Sequence, residues 1–425
     1  MKIAMLGYGI EGKSVVLYFL QHGVVKNNIT VLDQKSVEGL PEGVEGKIVK
    51  EFADVDLSDY DMVFRTPTVL PEKIRTSRDN VTSVSEYFFE KCPVKIFGVT
   101  ATKGKGTMST ILATILGANG RKVWLVGNIG VSALDILDEI GPNDLVVYEL
   151  GVSQARDMKV SPQVAVVGTI AADHLDLLGT FEKYIDAKKN IARYQKPEDT
   201  VVFYGKNKYS REIAETSPAK NHIEFPSDSG AHVEDGWFCY GAEKICEVSE
   251  LKLPGWHNIE NALAAISAAW GYVTVEEIKK GISEMRGLPH RIELVRELEG
   301  VRYYDDNFSS ATPATEVAVK AFDGPVILIG GGFDRGLDYK EFTEYLKKQE
   351  NLKKVLLIGQ IKDRLADGLG GLSEQFETLE DAVMRAKELA VEGDVVLMSP
   401  GAASFDMFKN FEDRGEQFQR IVRVL

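Results

Sequence analysis

The sequence predicts an α/β protein in which parallel sheets are covered by helices. Short apolar runs alternate along the chain with segments of helical period, the pattern of strand–helix–strand units. A length of 425 residues exceeds what one ordinary core organises, so two or three domains are expected, with boundaries near 93 and 291. Two glycine-rich stretches, GYGIEG and TKGKGT, each lie between an apolar run and a helix-like segment, where α/β domains bind phosphates.

In chain order, KIAMLGYG, NITVLDQ and DMVFRTP predict three strands of a first unit, which SVSEYFFEKCP closes. The opening MKIAMLGYGIEG reads as strand rather than signal peptide, because Gly7, Gly9, Glu11 and Gly12 interrupt it and no small-residue cleavage site follows. VKIFGVT starts a second unit, continued by KVWLVGN, DLVVYELG, VAVVGTI and DTVVFYG. Residues 206–250 are polar and irregular, with strand-like pieces such as GWFCYG. NIENALAAISAAWGYV predicts a helix, with Ala, Leu and Ile recurring on one face. Gly287 and Pro289 in MRGLPHR mark a break. Beyond it, ELVRELEGVRYYDDN predicts a hairpin turning at Glu299–Gly300, and PVILIGGG, KKVLLIG and DVVLMSP predict further strands.

Bulk properties exclude several classes. A formal charge of −14 disfavours nucleic acid and anionic membranes as partners. No apolar run reaches the roughly 20 residues that span a bilayer, so membrane insertion is not expected. Cys92, Cys239 and Cys246 make neither a disulfide framework nor a CxxC metal pair, and a cytoplasmic setting is expected.

GYGIEG, from Gly7 to Gly12, fits G-x-G-x-x-G after a strand, and Asp33 stands at the end of the next strand as a ribose-binding acid would. Alone, this fits a nicotinamide-dependent oxidoreductase, or a glycine-rich turn in any α/β domain. Neither reading explains the second loop, GVTATKGKGTMST. It is one residue longer than G-x-x-x-x-G-K-[ST]. Thr102, Lys103, Gly104, Lys105 and Thr107 could surround phosphate oxygens, with Lys105 as the point charge. Gly106 stands where a metal-binding hydroxyl is expected. Glu149 ends a strand and could hold Mg²⁺ directly or through water, although strand-end glutamates are also ordinary surface residues. His174 follows VAVVGTI, at the sheet end where α/β proteins bind ligands. Lys188, in the helical DAKKN segment, reads by composition alone as a solvated lysine.

VTATKGKGT, GNIG, YEL, DHLDLLGTFEKYIDAKKNI, LPGWHNIENALAA, GLPHRIE, GGGFDRG and SPGAASFDMFKNFEDRGEQF follow one another from about residue 98 to the end. In these segments the chain resembles the Mur ligase family of peptidoglycan synthesis, and the last points to its D-glutamate-adding branch. The first 93 residues match more loosely, through the glycine-rich turn, Asp33 and RTPTV. The resemblance implies three domains: a Rossmann-like UDP-substrate-binding domain over 1–93, a P-loop ATPase-like ATP-binding domain over 94–290, and a Rossmann-like amino-acid-binding domain over 291–425. It implies a monomer that uses ATP and Mg²⁺ to join D-glutamate to UDP-N-acetylmuramoyl-L-alanine through an acyl phosphate. A sibling ligase for another amino acid, folylpolyglutamate-type chemistry, and a nucleotide-binding protein with weakened catalysis are the alternatives.

Residue by residue, the resemblance assigns Thr102, Lys103, Gly104, Lys105, Gly106, Thr107, Asn258, Asn261, Arg291 and Asp306 to ATP. Gly9, Ile10, Asp33, Thr66, Asn128 and His174 fall to the UDP substrate, and Arg335, Ser404 and Phe411 to D-glutamate. Lys105, Glu149, His174 and Lys188 form the implied catalytic set, with Glu149, His174 and a CO₂-carbamylated Lys188 as metal ligands. Four departures stand out: Ala101 for a loop Gly, Gly106 for a loop Ser or Thr, Phe308 for a Lys, and ELGVSQ for E-L-S-S-F-Q. They bear on metal geometry and rate more than on fold. Arg335 replaces a Lys of many relatives and can bind a carboxylate bidentately.

Overall fold

The computed structural model describes residues 1–76, 79–128, 132–173, 178–285 and 289–425. They divide into a first unit, Met1–Val248 with Glu260–Ile282, and a second, Ser249–Ile259 with Ser283–Leu425.

The first unit carries two parallel sheets. In the N-terminal sheet β1 (Ile3–Leu6), β2 (Ile29–Asp33), β3 (Glu45–Ile48), β4 (Met62–Arg65) and β5 (Val81–Ser83) lie in the order β3-β2-β1-β4-β5. β1, β2 and β4 are the strands the apolar runs predict. The edge strands β3 and β5 were not foreseen, for a physical reason. EGKI is exposed at all four positions, and VTS is three residues long with two of them polar, so neither makes an apolar run.

The second sheet contains β6 (Ile96–Thr100), β7 (Val123–Gly127), β8 (Leu145–Glu149), β9 (Val164–Val167), β10 (Thr200–Tyr204) and β11 (Asn221–Phe225), in the order β11-β10-β9-β6-β8-β7. All its pairs are parallel. β6 is central and fully buried, as the continuous apolar run IFGVT requires when helices cover both faces. The polar segment then forms an antiparallel meander of β12 (Ala231–Glu234), β13 (Trp237–Tyr240) and β14 (Glu243–Glu247).

One apolar cluster runs through both parallel sheets, from Ile3 and Phe64 to Tyr148 and Val201. Polar bonds cross the same boundary. Arg65, 1% exposed, donates through Nε to Asp157 Oδ2 at 2.7 Å. Ser85 Oγ and the buried Tyr148 hydroxyl are 2.7 Å apart, and Lys159 N–H donates to Glu86 Oε1 at 2.9 Å.

The second unit holds a mixed sheet of β15 (Glu293–Leu298), β16 (Val301–Asp305), β17 (Val326–Gly331), β18 (Leu352–Ile358), β19 (Ser373–Gln375) and β20 (Val395–Met398), in the order β15-β16-β20-β17-β18-β19. β15 and β16 form the expected hairpin. Glu299 and Gly300 turn it with φ of 53° and 76°, the two left-handed positions of a type I′ turn. Separate apolar clusters cover the faces of this sheet, one around Phe342 and Leu357, the other around Leu356 and Phe418.

Candidate active site

The glycine-rich turn after β1 is built by its own backbone. Gly7 has φ +90°, and a Cβ there would fall 2.4 Å from Thr66 Oγ1, so only glycine fits. Asp33 accepts from the N–H groups of Tyr8 and Lys35 at 2.7 Å and of Ser36 at 3.2 Å. It thereby ties the turn to the end of β2. Burial opposes its charge, and these backbone donors hold its carboxyl below the usual range. Gly9 is the N-cap of the helix Ile10–Gln21 and contributes no side-chain cap, while Ile10 is 80% exposed. An uncapped helix start beside an exposed apolar side chain suits a phosphate-bearing ligand with an apolar contact. Thr66 is buried, with its Oγ1 3.2 Å from Thr68 Oγ1.

The second loop connects the end of β6 to the helix Lys105–Gly117. Its N-cap, Gly104, has φ +82°, and a Cβ there would meet Asn261 Oδ1 at 2.7 Å. The structure therefore brings the predicted Asn261 against the predicted loop. Lys103 is exposed, Thr107 partly buried and Gly106 buried. Lys105 Nζ donates to the carbonyls of Ala101 and Thr102 at 3.0 and 3.1 Å. Thr102 is bonded on two sides within the protein. Its N–H bonds the Thr169 carbonyl, and its hydroxyl joins the Ala171 backbone and the Tyr184 hydroxyl at 2.9–3.0 Å.

Parallel pairing places Glu149 beside this loop, because Val99 of β6 is in register with Glu149 of β8. Glu149 is 5% exposed, and its Oε1 accepts from Asn128 Nδ2 at 2.8 Å. Lys188 arrives from the other side, on the helix Phe181–Arg193. It is 1% exposed and donates to Thr100 Oγ1 at 2.9 Å and Ala101 O at 3.0 Å. Burial, reinforced by the Lys105 charge, drives its amine well below the usual lysine range, against the opposing pull of Asp173 and Glu149. Composition suggested a solvated lysine, whereas the tertiary structure buries the amine against Thr100 and Ala101, where the loop after β6 begins. His174 lies outside the described residues, as do Ile129 and Gly130 of GNIG and Gly287 of the MRGLPHR break.

The donor set discriminates among ions. The Glu149 carboxylate is a hard oxygen ligand suited to Mg²⁺. A lysine amine is not, but a carbamate on Lys188 would supply oxygen. The residues fit Mg²⁺ with Lys188 in that modified form.

The second unit gathers other predicted residues. The Arg291 guanidinium lies 5.5 Å from the Phe308 ring, and Phe308 meets Phe411 edge-on at 5.5 Å. Phe308, which departs from the family pattern, thus joins two predicted contacts. Asp306, 1% exposed, accepts from Ile292 N–H at 3.2 Å and Ser399 Oγ at 2.6 Å, and burial pushes its carboxyl up to about 6. Ser404 is buried and its carbonyl caps the Met407 and Phe408 N–H groups, whereas Arg335 is exposed on the loop after β17. In the same unit Asn258 is buried, and its Nδ2 donates to Pro254 O at 2.7 Å.

Comparison with known proteins agrees in chain order. The Mur ligase middle domain matches residues 99–269, and the Mur ligase glutamate ligase domain matches 290–401. The UDP-N-acetylmuramoylalanine–D-glutamate ligase of Clostridium kluyveri is 34% identical over 446 residues, covering 99% of this chain and 96% of its own. The enzyme of that name from Acetivibrio thermocellus is 36% identical over 454 residues, covering 100% and 96%. The chain belongs to the Mur ligase family. Its fold is shared with the UDP-N-acetylmuramate-alanine ligase of Thermotoga maritima, at 18% identity and a TM-score of 0.57 over 100% of this chain and 99% of that one.

Two residues of this Mur ligase, Gln154 and Arg414, had no role assigned from the sequence. Gln154 Oε1 accepts from Gly151 N–H at 3.0 Å, and its Nε2 donates to Glu11 Oε1 at 3.1 Å. It thereby connects the glycine-rich turn of the first sheet to the strand end at Glu149. Arg414, fully buried, donates to Asn307 Oδ1 at 2.6 Å and holds the segment after β16. Its signal lay in the FEDRG stretch. Gln154 sits in the departing ELGVSQ and had no separate signal.

Proposed function

We infer that this ligase adds D-glutamate to UDP-N-acetylmuramoyl-L-alanine with ATP, in peptidoglycan precursor synthesis. The observation that carries this reading is full-length similarity, at 34–36% identity, to enzymes named for that reaction. The geometry supports the chemistry. The helix start at Gly104 and Lys105 offers backbone donors and a positive charge to a triphosphate. That charge lowers the repulsion when the substrate carboxylate oxygen attacks the γ-phosphorus and ADP leaves. The D-glutamate amine then attacks the acyl carbon. It loses a proton, the C–O bond to phosphate breaks, and an amide and inorganic phosphate result.

Glu149, His174 and carbamylated Lys188 are the proposed Mg²⁺ ligands. The ion would screen charge between carboxylate and phosphate oxygens. Asn128 orients Glu149 by its 2.8 Å bond. The depressed lysine supplies the neutral amine that reacts with CO₂, releasing one proton as the carbamate forms. The proposed division is UDP substrate over 1–93, ATP over 94–290 and D-glutamate over 291–425, in a cytoplasmic monomer. The test is phosphate release with both substrates, ATP and Mg²⁺, omitting one component at a time. Release should require all four. Undiminished release with another amino acid in place of D-glutamate would overturn the assignment.

A further inference from the structure

The β12–β14 meander carries a donor cluster that the ligase chemistry does not use. β12 and β13 pair with His232 opposite Cys239 and Glu234 opposite Trp237. Strand alternation therefore puts His232, Glu234 and Cys239 on one face. Ala231 and Phe238 take the opposite face and are fully buried, while on the His–Glu–Cys face Cys239 is buried, His232 partly buried and Glu234 exposed. One ligand atom from each of the three side chains lies within 4.8 Å of the other two. His232 Nδ1 is 3.3 Å from the Gly230 carbonyl, the kind of backbone bond that orients a ligating imidazole and leaves Nε2 for a metal.

We propose that His232, Glu234 and Cys239 bind one zinc-class divalent ion, with water as the fourth ligand, clamping β12 to β13. One nitrogen, one oxygen and one sulfur match the mixed donor preference of zinc, and three protein ligands leave a position for water. Tetrahedral ligand atoms lie about 3.5 Å apart, so closure of roughly an ångström completes the shell. Glu234 is exposed and can move to do this. On binding, the Cys239 Sγ–H bond breaks, the proton goes to solvent, and the electron pair forms the metal–sulfur bond. Burial raises the Cys239 thiol, and Glu234 adds to that. Lys244, its cross-strand partner on β14, opposes both and favours the thiolate. The other comparable cluster among the described residues, His290, Glu293 and Asp305, is already satisfied internally. Asp305 Oδ2 takes His290 Nδ1 at 2.7 Å and Gln419 Nε2 at 2.9 Å.

The test uses the full chain, stripped with chelator and titrated with zinc against a chromophoric competitor, then with cobalt(II). Binding of one equivalent and a thiolate-to-cobalt charge-transfer band are expected. Cys239→Ser should abolish the band, Cys246→Ser should keep it, and His232→Ala should weaken zinc binding about 10- to 100-fold. Phosphate release with saturating substrates should be unchanged in all three. That result separates this site from the proposed Mg²⁺ ligands, and its presence does not depend on the substrate assignment. Absence of bound zinc, or a cobalt band that survives Cys239→Ser, would overturn the proposal. Should Cys239→Ser fail to fold, unweakened zinc binding by His232→Ala would overturn it equally.

Discussion

Lys188→Met separates a neutral buried amine from an ordinary lysine. Methionine keeps the length of the stem and removes the ionisable group. The bonds lost are those to Thr100 Oγ1 and Ala101 O. Both atoms keep other bonds, because Thr100 Oγ1 still donates to the Leu150 carbonyl and Ala101 O still accepts from Lys105. The substitution therefore strands no polar group. In the wild type the unfolded lysine titrates near the ordinary value of 10.5, while the native amine titrates well below it. Between those two values the unfolded chain holds one proton more than the native chain. Native stability must then rise with pH, by about 1.4 kcal/mol per unit. As pH rises toward the ordinary lysine range, the wild type should gain stability over Lys188→Met. Urea unfolding in CO₂-free buffer at a series of pH values reads this difference directly. Parallel profiles for the two proteins would refute the reasoning, because they would mean that the native amine keeps its proton. The carbamate assignment would then lose its chemical basis. Restored bicarbonate carrying labelled carbon should give one carbamate signal in the wild type and none in the variant, whose phosphate release should be nearly abolished.

Gly104→Ala forces a left-handed residue to carry a Cβ 2.7 Å from Asn261 Oδ1. It should cost roughly 1–3 kcal/mol of stability and sharply weaken ATP binding, read by calorimetry. Arg65→Ala leaves Asp157 without its buried partner and should destabilise by roughly 3–5 kcal/mol, whereas Arg65→Met with Asp157→Leu should recover most of the loss in urea unfolding. Arg335→Ala should raise the KM for D-glutamate about 10- to 100-fold through loss of a charge-assisted bond, with the KM for ATP unchanged in steady-state kinetics. Asp306 has its carboxyl raised from 3.8 to about 6, chiefly by burial. The native state thus binds more protons than the unfolded chain in that window, and stability falls as pH rises through it, by about 3 kcal/mol. Asp306→Asn should flatten that segment of the pH–stability profile.

The sequence by itself determined the strand–helix alternation, the central strands, the Glu299–Gly300 hairpin and both glycine-rich turns. Each rests on local pattern: an apolar run long enough for a buried strand, or glycine where φ is positive. It also determined the family, because the motif order survives without coordinates. The edge strands β3, β5, β11 and β19 were illegible, since edge positions need no continuous apolar run. Only the tertiary structure decided the state of the functional groups. Asp33 reads as a ribose-binding acid in sequence, yet its carboxylate is held by three backbone donors of its own turn and the loop after β2. Lys188 reads as a solvated helix lysine, yet parallel pairing packs its helix so that the amine is buried against Thr100. Charge state depends on desolvation and on neighbours distant in sequence, and no local pattern records either.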